Sequence, residues 1–442
     1  MNKSGSFLFA LLGAAFLQGA GAAICYADSQ QSLDNCVGQI NGGTADKIEV
    51  TQNIYCTPNG AACGYLFRNL TNPARQIEIY GSNNGISIYR NPTISLFTIE
   101  NSTNITIRNL GILDNGKRQL DYQSCSFVTP QTTPVSMGRN TLTGQGLATN
   151  ITLQYVRIDT GEPRIIDIGH ADNIRITNST FSGSGHFGIW TSTQFPKTRL
   201  SIFDNTFTGI GANAIFIGNV EHAWIDGNRF DNNHATNPFC LPGGQHTGGG
   251  QIDIEAGTKN LSMQGNHIYN GHPSVSGIEF ADGSVAKISG ITIKGNYIYN
   301  NQNAAIFFNN MTVDDGIQDV VIRDNAFYGN GVPQVRFNGH RRVDVFENYY
   351  TGDLSQSPRA SFAGTAKTCN LNGGTTCAVN VTWSTVQAGN VQVKVEGGGL
   401  FSTNANFSQW APWLGAAGTY FEIFASTYSG NEPIARYFVN GN

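Results

Sequence analysis

Six asparagines, Asn205, Asn228, Asn266, Asn296, Asn325 and Asn348, recur 23 to 38 residues apart. Each follows a strand-like triplet and is followed two residues later by a large apolar or aromatic residue, as in Leu-Ser-Ile-Phe-Asp-Asn205-Thr-Phe207 and Ile-Thr-Ile-Lys-Gly-Asn296-Tyr-Ile298. An internal period of this size, built from short alternating strands and Gly/Asn turns, means one coil repeated along an axis. Buried amides at a fixed place in every coil can bond to turn backbone and to one another.

Charged residues are 13% of the chain and the formal charge is −4. No basic stripe marks a nucleic-acid partner. With 53 glycines and few helix-forming runs the chain reads as all-β. Residues 1–23 combine a basic start at Lys3, an apolar run from Phe7 to Leu17 and small residues after it, the pattern of a secretory signal peptide. No later segment reaches the ~18 apolar residues of a membrane span. A secreted or periplasmic, soluble monomer is therefore expected.

Eight cysteines in an exported chain favour disulfides. Cys56 with Cys63 and Cys369 with Cys377 each close a short loop rich in Gly and Asn; elimination leaves Cys25 with Cys36 and Cys125 with Cys240. The histidines show no metal-ligand spacing with the cysteines, so zinc is not expected.

Coils are expected over 24–352, with an amphipathic stretch at the start capping the open core and an insertion from 117 to 146 too long for a turn. A second strand lies halfway round each coil, with apolar residues flanking an outward one: Ile166-Asp167-Ile168, Ile189-Trp190-Thr191, Ile215-Phe216-Ile217, Ile252-Asp253-Ile254, Ile278-Glu279-Phe280, Ile306-Phe307-Phe308, Val335-Arg336-Phe337. Stacking then exposes a column of Asp167, Trp190, Phe216, Asp253, Glu279, Phe307 and Arg336, with neighbours roughly 4.8 Å apart. After Tyr350 the period stops. Residues 353–442 read as a linker and a small β-sandwich whose Trp383, Trp410 and Trp413 are expected in its core, the alternative being stacking on sugars.

From about 211 to 350 the chain resembles the pectate lyase family. The matching stretches include Ala223-Trp-Ile-Asp-Gly-Asn228-Arg-Phe230, Gly250-Gln-Ile-Asp-Ile-Glu-Ala-Gly257, and Val332-Pro-Gln-Val-Arg336-Phe-Asn-Gly339. The resemblance implies a right-handed parallel β-helix and a carbohydrate ligand, so that with the C-terminal strands the expected fold is all-β, a right-handed parallel β-helix followed by a small C-terminal β-sandwich. It also implies a calcium-binding carboxylate at Asp253 and a substrate-binding arginine at Arg336. The family's other calcium acids fall at Gly249, Gly211 and Asn213, its lysine at Ser274 and its proton-abstracting arginine at Gly331. The usual base for elimination is therefore missing.

Three acids, Asp253, Glu255 and Glu279, are left at the centre of the column as candidate catalytic residues. Carboxylates close together raise one another's proton affinity, which makes a general acid beside an ionised partner. The same trio is a set of oxygen ligands for Ca²⁺. Trp190, Phe216 and Phe307 are candidate stacking platforms for sugar rings, and Arg336 a partner for an acidic sugar. His234 and His246, in the long insert before the acidic strand, are further substrate-binding candidates. The expected function is cleavage of a polysaccharide on the exposed face, by hydrolysis or elimination; the alternative is a non-catalytic glycan-binding or surface-structural protein.

Overall fold

Each coil is three strands joined by three tight turns. In the one that begins at Lys197, a long strand Lys197–Phe203 is followed by a short strand Thr206–Thr208 and then by Ile215–Ile217. Equivalent strands of successive coils pair in parallel and in register. Three sheets therefore run along the stack, a long face, a short face and a site face. The protein is a right-handed parallel β-helix through this region. The computed structural model describes residues 23–57, 63–90, 94–114, 133–138, 146–183, 186–233, 249–271, 275–281, 286–309, 316–337, 342–430 and 432–442. Residues 1–22 of the expected signal peptide, most of the insertion, Cys125, Cys240, His234 and His246 lie outside the described residues.

The turn between the long and short strands is written in the sequence. The residue before each ladder asparagine is left-handed: Asp204 at φ 55°, Gly227 at 67°, Gly265 at 64°, Gly295 at 64°, Asp324 at 56° and Glu347 at 57°. Asp and Gly reach this region more readily than most residues, so Asp-Asn and Gly-Asn form the corner itself. Behind it the amides form an unbroken chain. Asn205 Nδ2 donates to Asn228 Oδ1 at 3.0 Å, Asn228 to Asn266 at 3.0 Å, Asn266 to Asn296 at 2.8 Å, Asn296 to Asn325 at 2.9 Å and Asn325 to Asn348 at 3.0 Å. The accepting oxygens also take the backbone N–H of the preceding asparagine. All six side chains are buried, and the bonds satisfy groups that burial would otherwise penalise.

A second amide ladder occupies the next corner. Asn233 donates to Gln251 Oε1 at 2.9 Å, Gln251 to Asn301 Oδ1 at 2.7 Å, Asn301 to Asn330 Oδ1 at 3.0 Å and Asn330 to Gln334 Oε1 at 2.9 Å. Where the pattern calls for an asparagine at 271 the chain has glycine, and a Cβ there would lie 2.8 Å from Asn301 Oδ1 and 3.4 Å from Gln251 Nε2. Gln251 fills the rung from the neighbouring strand. Between the ladders the interior is apolar, with Phe181, Phe207 and Phe230 stacked at 5.0 Å and columns of buried isoleucine.

Both ends of the stack are covered. At the start the helix Gln30–Gly42 buries Leu33, Cys36, Val37 and Ile40, is capped by Ser29, and is pinned to the strand Ile24–Ala27 by the Cys25–Cys36 disulfide. Cys56–Cys63 and Cys369–Cys377 are also bonded, as expected. At the far end the strand Ala435–Gly441 pairs antiparallel with Val343–Phe346 through Val345 and Arg436. The C-terminal strands thus prolong the long face, and the separate sheet of Arg359–Ser361, Cys377–Val386 and Phe407–Leu414 completes the C-terminal region. Trp383 is in its core, with Nε1 donating to Asn404 O at 2.8 Å. Trp410 and Trp413 correct the expectation of core packing: they are 64% and 43% exposed. Trp413 lies in the bulge between the pairs Cys377–Leu414 and Val379–Ala411, where alternation breaks, and Trp410 pairs with the exposed Asn380 on the outer side. Among the described residues no helix is long and apolar enough to cross a membrane.

Candidate functional site

The site face brings the expected column together. Asp167 pairs with Trp190, Trp190 with Phe216, Phe216 with Asp253, Asp253 with Glu279, Glu279 with Phe307 and Phe307 with Arg336. The expectation that the whole column is open to solvent is corrected. Asp167, Asp253, Glu279 and Phe307 are only 1%, 9%, 3% and 6% exposed. Alternation sets the direction of a side chain, whereas its depth depends on what lies over it. Phe216 and Phe307 flank the two acids, and the Arg336 guanidinium lies 5.0 Å from the Phe307 ring centre. Further along, Arg164 sits 3.7 Å over Trp190 and bonds Asp167 Oδ2 at 2.9 Å. Trp190 is therefore clasped between Arg164 and Phe216, whose ring is 6.2 Å away.

Asp253 and Glu279 stand side by side on the strands Gly250–Ile254 and Ser276–Phe280. Glycine makes that approach possible. A Cβ on Gly250 would lie 2.6 Å from Glu279 N, and Gly249 holds a φ of 155° that other residues rarely adopt. Burial, then the charges of Glu279 and Glu255, raise the proton affinity of Asp253 well above that of an ordinary aspartate. Burial likewise pushes Glu279 up to about 7, although Asn309 and the Gly249 N–H each donate to it and oppose the rise. Asn309 Nδ2 reaches Glu279 Oε1 at 2.7 Å. Asp253 Oδ1 and Glu279 Oε2 are buried and accept no hydrogen bond. Burial thus presses both carboxyls toward their neutral forms, and at Glu279 two donors oppose it.

Glu255 joins this pair through its charge and is only half-buried at the end of the Asp253 strand. Arg336 is exposed and donates from Nη1 to Asn303 Oδ1 at 3.3 Å. Asn309 was not singled out from the sequence, and neither was Gly249 as a donor. The available signal was position: Asn309 stands two residues after Phe307 in the column, at the mouth of the same face.

Among the described residues no three His, Cys, Asp or Glu side chains gather in an arrangement that could hold a metal ion. Asn213, at the place of a calcium acid in the pectate lyases, donates its Nδ2 to Gly250 O at 2.7 Å and serves as a strand tie. Gly249 offers an N–H at another such place. No chemistry below is routed through calcium.

Residues 147–353 match the family model of the right-handed β-helix region. No curated protein matches the chain in sequence. Among solved structures it is similar to the A-module of the mannuronan C-5 epimerase AlgE4 of Azotobacter vinelandii, at 10% identity and TM-score 0.44, over 75% of this chain and 94% of that one. It is also similar to the surface adhesin PfbA of Streptococcus pneumoniae, at 15% identity and TM-score 0.45, over 73% and 95%. A third similar structure is the endo-xylogalacturonan hydrolase of Aspergillus tubingensis, at 10% identity and TM-score 0.45, over 75% and 92%.

Proposed function

We propose that this protein is an exported carbohydrate-active enzyme that hydrolyses a polysaccharide lying along the site face. One observation carries the reading: two adjacent buried carboxyls, of which Glu279 is held by the Asn309 amide. Glycoside hydrolysis needs such a division of labour, a proton donor for the leaving oxygen and an ionised carboxylate opposite it. Each carboxyl has one buried oxygen without a donor, and the two donors on Glu279, Asn309 and the Gly249 N–H, make it the better carboxylate and leave Asp253 as the acid. Phe216 borders the pair as a half-buried apolar surface for a sugar ring, and Arg336, which lies over the buried Phe307, suits an acidic substituent further along. The three disulfides favour an oxidising compartment outside the cytoplasm.

Hydrolysis is preferred to elimination because a proton next to a carboxylate must be removed by a base beside a stabilising cation. The cation of this column, Arg336, stands two strand positions from Glu279. The test is a screen of purified protein against acidic and neutral polysaccharides, with and without Ca²⁺. New reducing ends without ultraviolet-absorbing unsaturated products are expected; unsaturated products would overturn hydrolysis in favour of elimination.

The near-complete burial of Asp253 and Glu279 also supports a second reading, a glycan-binding β-helix without turnover. It predicts that Glu279→Gln leaves glycan retention unchanged and that no polysaccharide yields new reducing ends.

A further inference from the structure

Charge is absent from two long runs in the C-terminal region. No Asp, Glu, Lys, Arg or His occurs from 368 to 393 or from 397 to 421, although charged residues are 13% of the chain. These runs supply the strands Cys377–Val386 and Phe407–Leu414 of the sandwich's separate sheet. The inner side of that sheet is buried through Val379, Val381 and Trp383. Its outer side presents Ala378, Asn380 and Ser384 to solvent. A surface that meets only water is ordinarily rich in charge, so an uncharged outer face calls for a reason other than solubility.

The face is built around one indole. Trp410 is 64% exposed, and its ring makes no hydrogen bond and no ring contact among the described residues. Directly across from it in register is Asn380, whose exposed amide is likewise without a partner among the described residues. The next pair is Thr382 with Ser408, whose hydroxyls bond each other at 2.8 Å, and Ser384 continues the strand. The base of the face is stiff. The Cys369–Cys377 disulfide anchors the start of the central strand, and Trp383 fills the core behind it with Nε1 tied to Asn404 O at 2.8 Å. Toward the end of the edge strand Trp413, 43% exposed, is braced by Phe401 and Phe421, with ring centres 6.4 and 6.1 Å away.

We propose that this face is a second carbohydrate site, which binds an uncharged glycan with Trp410 stacked on the C–H face of a sugar ring and Asn380, Ser384 and the Thr382–Ser408 pair bonded to its hydroxyls. A sugar ring is apolar on its faces and edged by hydroxyls, so its complement is an aromatic plate edged by amides and hydroxyls. A uronate or phosphate would be met by fixed cations, and the two runs contain none. An apolar partner, whether lipid or a second copy of the chain, fits less well. It would strip water from the Asn380 amide and the hydroxyls without giving them partners. Under the reading above, the sandwich tethers the polymer on which the coil face acts; the site itself does not depend on that reading.

The test is affinity electrophoresis of the full chain through native gels that contain xyloglucan, galactomannan or hydroxyethylcellulose as neutral probes, and polygalacturonate or alginate as acidic ones. At least one neutral polysaccharide is expected to retard the wild type, and added salt should not reverse it. Trp410→Ala is expected to weaken that binding about tenfold or more, with an unchanged thermal midpoint because the ring is exposed. Trp410→Phe should restore part of the affinity, and Asn380→Ala should lower it roughly threefold. Asp253→Asn/Glu279→Gln is expected to be retarded like the wild type, which separates this site from the carboxyl pair. Retardation that Trp410→Ala leaves unchanged would overturn the site. So would the absence of retardation by every neutral probe, or retardation by the acidic probes alone. Self-association of the wild type that Trp410→Ala abolishes, without glycan binding, would make the face an interface between copies and overturn it as well.

Discussion

Two carboxyls on adjacent strands cannot both ionise cheaply when water is excluded, and this constraint governs what Asp253 and Glu279 do. Their proton affinities are raised in the folded state, so protonation stabilises the fold. For Glu279 the contribution is complete below its ordinary value of 4.5 and is lost as pH rises through about 7. Between those limits the wild type is expected to lose on the order of 3 kcal/mol relative to Glu279→Gln, whose stability should be flatter with pH. Chemical denaturation followed at several pH values reads this directly. On any cleaved polysaccharide Asp253→Asn is expected to lower turnover by about 10²–10⁴-fold with the fold intact. A reduction below about threefold would remove Asp253 as the acid. Another buried charge group is structural. Arg90 is wholly buried, with Nε 2.8 Å from Asp114 and Nη2 3.5 Å from Glu162. Arg90→Met strands both acids and is expected to cost about 3–5 kcal/mol.

At the scale of the element, the amide ladders convert a sequence period into coil register. The Asn266 side chain makes four bonds at 2.7–3.0 Å, accepting from the backbone and the amide of Asn228 and donating to Asn296 Oδ1 and the Ile225 carbonyl. Asn266→Ala leaves partners buried without bonds and is expected to destabilise by roughly 2–4 kcal/mol. The second ladder offers a sharper test. Gln251→Ala opens a gap between Asn233 and Asn301, and adding Gly271→Asn supplies an amide from the coil's own corner. The double variant is expected to recover part of the single variant's loss in thermal midpoint. No recovery would mean that Gln251 holds that corner by packing rather than by its bonds. The first ladder was legible because its residues share a type and follow strands directly. The second was hidden because its rungs mix Asn and Gln, and both glutamines, Gln251 and Gln334, come from in or next to site-face strands rather than from the corner.

For the whole molecule, a solenoid is stable only when its terminal coils are covered, since each coil contacts only its neighbours. The helix Gln30–Gly42 covers one end and the C-terminal strands prolong the other. Removing the Cys25–Cys36 cross-link with paired serine substitutions is expected to cost about 2–4 kcal/mol. Protection in hydrogen exchange should fall first in the strands nearest the helix. Uniform loss of protection along the coils would show that the stack melts as one unit.

The sequence by itself determined the coil, two of its strands and the order of the column from Asp167 to Arg336, and the short strand after each ladder asparagine emerged with the structure. The coil and the column follow from local rules: which residues accept left-handed corners, and which side of a strand faces inward. It also identified the acids at the column's centre. Tertiary structure decided how deep they sit, that Asn309 and Gly249 bond one of them, that Trp410 and Trp413 face outward, and that the C-terminal strands prolong the coil edge. Depth, donors and junctions arise from groups far apart in the chain. Their proximity is set by how coils stack and ends are covered, and no local pattern encodes it.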